Sequence, residues 1–72
     1  MGTANLTVDL PLTEEEFEAA YVMWRMGTPS HELANGFGVG NAYTLDWCFV
    51  MRMSGRLNKY IVHFKDPNQS TI

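Results

Sequence analysis

The stretch "YTLDWCFVMRM", residues 43–53, decides the fold. Two periods fit it. Leu45, Cys48, Phe49 and Arg52 fall at helical spacing, whereas Leu45, Trp47, Phe49, Met51 and Met53 alternate strictly, as in a half-buried strand. The Tyr, Thr, Trp, Phe and Val content favours a strand. The residues in front favour a helix, because "GTPSHELANGFGVG" (27–40) reads as a short helix and a turn that delivers another helix. We therefore read 42–53 as helical. A strand there would instead make a hairpin with the last strand around Ser54-Gly55.

Working back from this stretch, Thr28 is placed to cap a helix over 29–37, with Pro29 at its first position, where a missing N–H costs nothing. Leu33, Ala34 and Phe37 form its apolar side. Ala34 is small where two helices must cross, Gly38 permits a positive φ in the turn, and Val39 plugs the core. These are the steric needs of a helix-turn-helix, with a helix over 13–26 as the scaffold behind it. That scaffold helix is well marked. Thr13 caps it, Glu16 reaches back to the cap, and Leu12 staples onto Phe17. Glu14, Glu15 and Glu16 sit at the positive end of the helix dipole. Phe17, Ala20, Tyr21 and Trp24 make one face, and Gly27 ends the helix.

Beyond the helices, Leu6, Val8 and Leu10 alternate with Thr7 and Asp9, and Tyr60, Val62 and Phe64 alternate with Ile61 and His63. Strands over 6–10 and 60–64 are expected to pair and to lie on the helices through Val8, Leu10, Val62 and Phe64. The last five residues are read as frayed. The expected fold is a small, mostly α, α/β domain: one unit over 1–72, with a three-helix helix-turn-helix core flanked by paired terminal strands, winged-helix-like.

Seventy-two residues bury roughly 60% of the surface an unfolded chain exposes, so the stability margin is thin. Composition is that of a globular protein, with 46% hydrophobic and 18% charged residues. No apolar run approaches the roughly 20 residues of a membrane span, and no basic-then-apolar leader opens the chain. Cys48 is the sole cysteine and sits on an apolar face with no basic neighbour. A cytoplasmic protein is expected. His31 and His63 have no second ligand at metal spacing, and no phosphate loop, nucleophile elbow or triad is present. We expect no metal, no cofactor and no enzymatic activity.

Net charge is −3, unevenly spread. Asp9, Glu14, Glu15, Glu16 and Glu18 occupy the first third without a base. Arg52, Arg56, Lys59 and Lys65 follow residue 51 with no acid between them. Such a molecule can meet a polyanion with one face.

The run Gly27, Pro29, Leu33, Ala34, Phe37, Gly38, Val39, Gly40 resembles the pattern G-x-P-x-x-x-L-A-x-x-F-G-[IV]-G of the carboxy-terminal DNA-binding domain of serine recombinases, the resolvase and DNA-invertase family. The resemblance implies DNA binding without recombination, since the chain holds no catalytic domain. In that family a Ser-Thr-apolar cluster and a basic reading helix follow the turn; here "NAYTLDW" follows. One extra turn residue restores the pair as Thr44-Leu45 and makes Asn41 the cap. Without it, Thr44 falls at a buried aliphatic position and needs a hydroxyl partner. The recognition helix is degenerate: its outward positions offer Tyr43 and Asp46, and no arginine before Arg52.

On this reading Asn41, Tyr43 and Thr44 lead into the major groove of duplex DNA. Thr28 and Ser30, with Arg52, Arg56 and Lys59, hold phosphates. So few contacts call for a homodimer bridging two half-sites. The implied role is a minimal transcriptional regulator or a recombination accessory factor of phage or mobile-element type. The alternative keeps the scaffold but binds a host protein, as a small acidic phage-type inhibitor does, through Met23, Trp24, Met26, Trp47, Met51 and Met53.

Overall fold

The structure, a computed structural model, describes residues 7–67. Strand β1 (Thr7–Asp9) leads into helices α1 (Glu14–Arg25), α2 (Ser30–Phe37) and α3 (Ala42–Met53). A single 3₁₀ turn (Leu57–Lys59) and strand β2 (Ile61–His63) complete the order. Leu6 and the last five residues lie outside the described residues.

Residues 43–53 are helical, and burial shows which of the two periods the core uses. Leu45, Cys48 and Phe49, at i, i+3 and i+4, are fully buried. Of the alternating set, Trp47 and Met51 are only half-buried and Met53 is exposed. The carboxamide oxygen of Asn41 starts the helix by accepting from the backbone N–H groups of Tyr43 (3.0 Å) and Thr44 (3.3 Å). Two donors that an intrahelical ladder cannot satisfy are thereby paired.

The start of α1 is the expected capping box. Glu16 N–H donates to Thr13 Oγ1 at 3.0 Å, and Thr13 N–H donates to Glu16 Oε1 at 2.9 Å. Its other end closes as a Schellman motif: Gly27 N–H donates to the Trp24 carbonyl and Thr28 N–H to the Met23 carbonyl, both at 3.0 Å. Gly27 adopts φ +113° to allow this. The start of α2 corrects one expectation. Thr28 does not cap α2, because the first carbonyl of that helix's ladder is that of Pro29, which accepts from the N–H groups of Glu32 and Leu33. Pro29, in extended conformation, stands at the N-cap without a side-chain hydrogen bond, and the helix begins at Ser30. At the far end of α2, Gly38 is left-handed (φ 77°, ψ 25°) and turns the chain into α3, while Val39 N–H donates to the Ala34 carbonyl at 2.8 Å.

The two strands pair as expected, and they run parallel, with Thr7, Val8 and Asp9 opposite Ile61, Val62 and His63. All three helices form the crossover between them, so the ribbon is not a hairpin. Leu10 N–H donates to the His63 carbonyl (2.9 Å) and Lys65 N–H to the Leu12 carbonyl (2.6 Å), carrying the pairing past the strand ends. Val8, Val62 and Phe64 rest against the core. Its centre is Phe49, whose ring lies 5.5 Å from Phe17, 5.4 Å from Trp24 and 6.2 Å from Tyr21.

Two glycines of one segment carry opposite expectations. A Cβ at Gly38 meets no atom within 4 Å, so Gly38→Ala is opposed by the left-handed backbone alone and destabilises by about 1 kcal/mol. Gly36 lies inside α2 with equal space, and Gly36→Ala stabilises by roughly 0.5–1 kcal/mol. Urea denaturation midpoints moving in the same direction for both would refute this account of the turn.

Candidate nucleic-acid interface

Asn41, Tyr43 and Thr44 come together at the amino-terminal end of α3. Asn41 caps the helix and Leu45 is buried. Tyr43 is 84% exposed, and Thr44 is half-buried beside it. Of these three, Tyr43 presents its side chain to solvent, while the Asn41 carboxamide oxygen is engaged in the cap.

The phosphate-holding set fares differently. Ser30 Oγ donates to Asp46 Oδ1 at 2.6 Å, so the first residue of α2 is tied to the middle of α3. A carboxylate of the protein's own thus lies at the positive end of α2, where a phosphate was expected. Thr28 is half-buried, its N–H consumed by α1. Arg52 makes a two-pronged contact with Glu18 of α1: Nε to Oε2 at 3.1 Å and Nη2 to Oε1 at 3.0 Å. Its guanidinium also lies 4.7 Å from the centre of the Tyr21 ring. The Glu18 hydrogen bonds hold the Arg52 proton more firmly than usual, despite some desolvation. Arg52 stands eight residues beyond Thr44, about 12 Å along the helix axis, and serves the α1–α3 junction rather than the amino-terminal end of α3. Arg56 and Lys59 are exposed and form no ion pair among the described residues.

Both tethers were invisible in the sequence. Ser30 and Asp46 are 16 residues apart and Glu18 and Arg52 are 34 apart. No local pattern announces a pair at such separation.

A groove of about 520 Å³ opens beside the amino-terminal end of α3, lined by Thr7, Val8 and Asp9 of β1 and by Tyr43, Thr44 and Trp47 of α3. Trp47 is held there by Tyr60, whose ring meets it edge-on at 5.0 Å. Asp9 projects from the strand beside it, with its carboxylate 3.8 Å from His63 Nδ1. Sequence reading placed Asp9 on a strand and Tyr43 on a helix, but the crossover that brings them together is a tertiary fact.

The tryptophan and methionine set does not form one surface. Trp24 packs on Phe49 and Tyr21, while Trp47 turns to Tyr60. Residues two apart on a helix point about 200° from each other, so Trp47 and the Trp24–Phe49 contact lie on opposite sides of α3. Met51 is half-buried, and Met23, Met26 and Met53 are exposed, Met26 to 81%.

Among the described residues no group of three or more His, Cys, Asp or Glu could hold a metal, and no helix is long and apolar enough to cross a membrane. No protein-family model, curated protein or solved structure matches the chain.

Cys48 is fully buried, and burial pushes its thiol up from 9.0 to about 11. The folded protein therefore resists thiol reagents, and labelling at pH 8 proceeds only as fast as the domain opens. Because the unfolded thiol ionises near 9.0 and the folded one near 11, this group's contribution to stability holds below pH 9 and falls as pH rises toward 11. Labelling by a disulfide reagent as fast in native buffer as in urea would contradict the burial of Cys48.

Proposed function

We propose that the chain binds duplex DNA weakly, as a helix-turn-helix protein of the minimal regulator or recombination-accessory type. The observation that carries this reading is the turn at left-handed Gly38, which leads into an Asn41-capped α3 with Tyr43 exposed at its start. The resemblance to the recombinase domain covers the turn, from Gly27 to Gly40, and ends before Asn41. Asn41, Tyr43 and Thr44 approach the bases, and the positioning contacts fall to Arg56 and Lys59. Ser30 and Arg52 contribute little while Asp46 and Glu18 hold them. With so few cations available, a second copy on a neighbouring half-site supplies the affinity that one lacks.

A second reading, a protein-binding module on the same scaffold, is favoured by the exposure of Val22, Met23, Met26, Val50 and Met53 at the carboxy-terminal ends of α1 and α3.

Two measurements on random-sequence duplex DNA test the leading reading. Fluorescence anisotropy across roughly 50–200 mM salt should show log affinity falling against log salt with a slope of about −2, two phosphate contacts at about −0.9 each. Asp46→Asn removes the acid from the start of α2 and should tighten binding severalfold. No binding at the lowest salt, by either protein, would transfer the case to the protein-binding reading.

A further inference from the structure

We propose that the groove between β1 and the amino-terminal half of α3 binds an extended, basic peptide segment of another protein, which adds to β1 as a third strand. The first ground is the strand edge. Among the described residues β2 is the one partner of β1. With Val8 opposite Val62 and Leu10 N–H bonded to His63, the backbone groups of Val8 and Leu10 face β2. Those of the intervening Thr7 and Asp9 face away from it. This leaves two N–H and two C=O groups in line along an open edge, the template that strand addition requires.

The second ground is what stands opposite that edge. All three β1 residues line the groove, and its other wall is Tyr43, Thr44 and Trp47. Trp47 is fixed by Tyr60, and Tyr43 stands at the start of the same helix. Side chains of an added strand alternate between faces, so one apolar residue can lie on this aromatic wall while its neighbours turn away.

The third ground is charge. Asp9 is the one acidic or basic side chain among the described residues lining the groove, and that side chain is 84% exposed. Its neighbour His63 lies on β2, outside the groove lining. A lysine or arginine of the incoming strand meets this carboxylate; a phosphate or an acidic segment is repelled by it. A second copy of this chain paired through β1 brings another Asp9 into the groove and no cation from the strand, so it fits less well than a basic peptide.

This surface does not depend on the DNA-binding reading, but it shares Tyr43 and Thr44 with it, and the two ligands exclude each other. The test uses the full chain and fluorescein-labelled hexapeptides: alternating Lys-Val, alternating Glu-Val, and the Lys-Val peptide with a central proline. Saturable one-to-one binding of the Lys-Val peptide is expected, with amide shifts at Thr7 and Asp9 and a shift of the Trp47 indole. Binding should weaken by about tenfold or more with the glutamate peptide, the proline peptide, or Asp9→Lys in the protein. The surface position of Asp9 leaves the core intact in that variant, which circular dichroism checks. Equal binding of the proline peptide would reduce the contact to bulk charge and overturn the proposal. So would indifference to Asp9→Lys, or concentration-dependent dimerisation that shifts Thr7 and Asp9 without peptide. Asp9→Lys raises DNA binding if that separate reading holds, so either hypothesis can fail without the other.

Discussion

Phe49 on α3 meets three aromatic residues of α1, Phe17, Tyr21 and Trp24, and the rest of the structure depends on that junction. These contacts span two turns of α1, so one ring fixes both the distance and the rotation of the helices. They are reinforced at the surface, where Arg52 lies over Tyr21 and holds Glu18. Phe17 then passes the contact to Phe64 beyond β2, at 5.7 Å, which seats the ribbon on the same core. A two-stranded sheet is marginal by itself. Here it survives because the residues at and beyond its ends, Leu10, Leu12 and Phe64, belong to the hydrophobic cluster that Phe49 organises.

What the sequence made legible was local chemistry. The capping box at Thr13 and Glu16, the glycine stop at Gly27, the left-handed turn at Gly38 and the Asn41 cap each follow from residues within a few places of one another. The one open decision, helix or strand for 43–53, was settled by burial rather than propensity: β-favouring residues such as Trp47 and Phe49 are helical because the stripe through Leu45, Cys48 and Phe49 fills the core. Thr28 was misassigned for an instructive reason. A threonine before a proline and an apolar run reads as a cap, but the helix ladder starts one residue later, at the carbonyl of Pro29.

The candidate site was legible in composition and much less so in arrangement. The basic and acidic segments of the sequence suggested two opposed faces. In the folded chain they partly cancel where Arg52 pairs with Glu18 at the surface, and Asp46 separately holds Ser30. Exposed ion pairs contribute little stability, and these two tethers matter more for the groups they withdraw from any ligand. Of the candidate contact residues, Arg56 and Lys59 stay exposed and able to act at a distance, as does Asp9 beside the groove. Pairing across long sequence separations, not residue content, therefore sets what this surface can attract.

The parallel ribbon has a further consequence for the surroundings of the amino-terminal end of α3. An antiparallel hairpin after α3 would carry a turn into solvent beside the groove. The parallel arrangement instead returns the first strand of the chain to the flank of α3, bringing Thr7, Val8 and Asp9 against Tyr43, Thr44 and Trp47. The side chains that start α3 are thus bordered by a strand edge and a carboxylate. A ligand that settles in the groove beside Tyr43 also meets Asp9, and an extended cationic chain gains from that contact, whereas a polyphosphate loses. Whatever occupies this corner is selected first by the sign of its charge, before any hydrogen bond to the edge is formed.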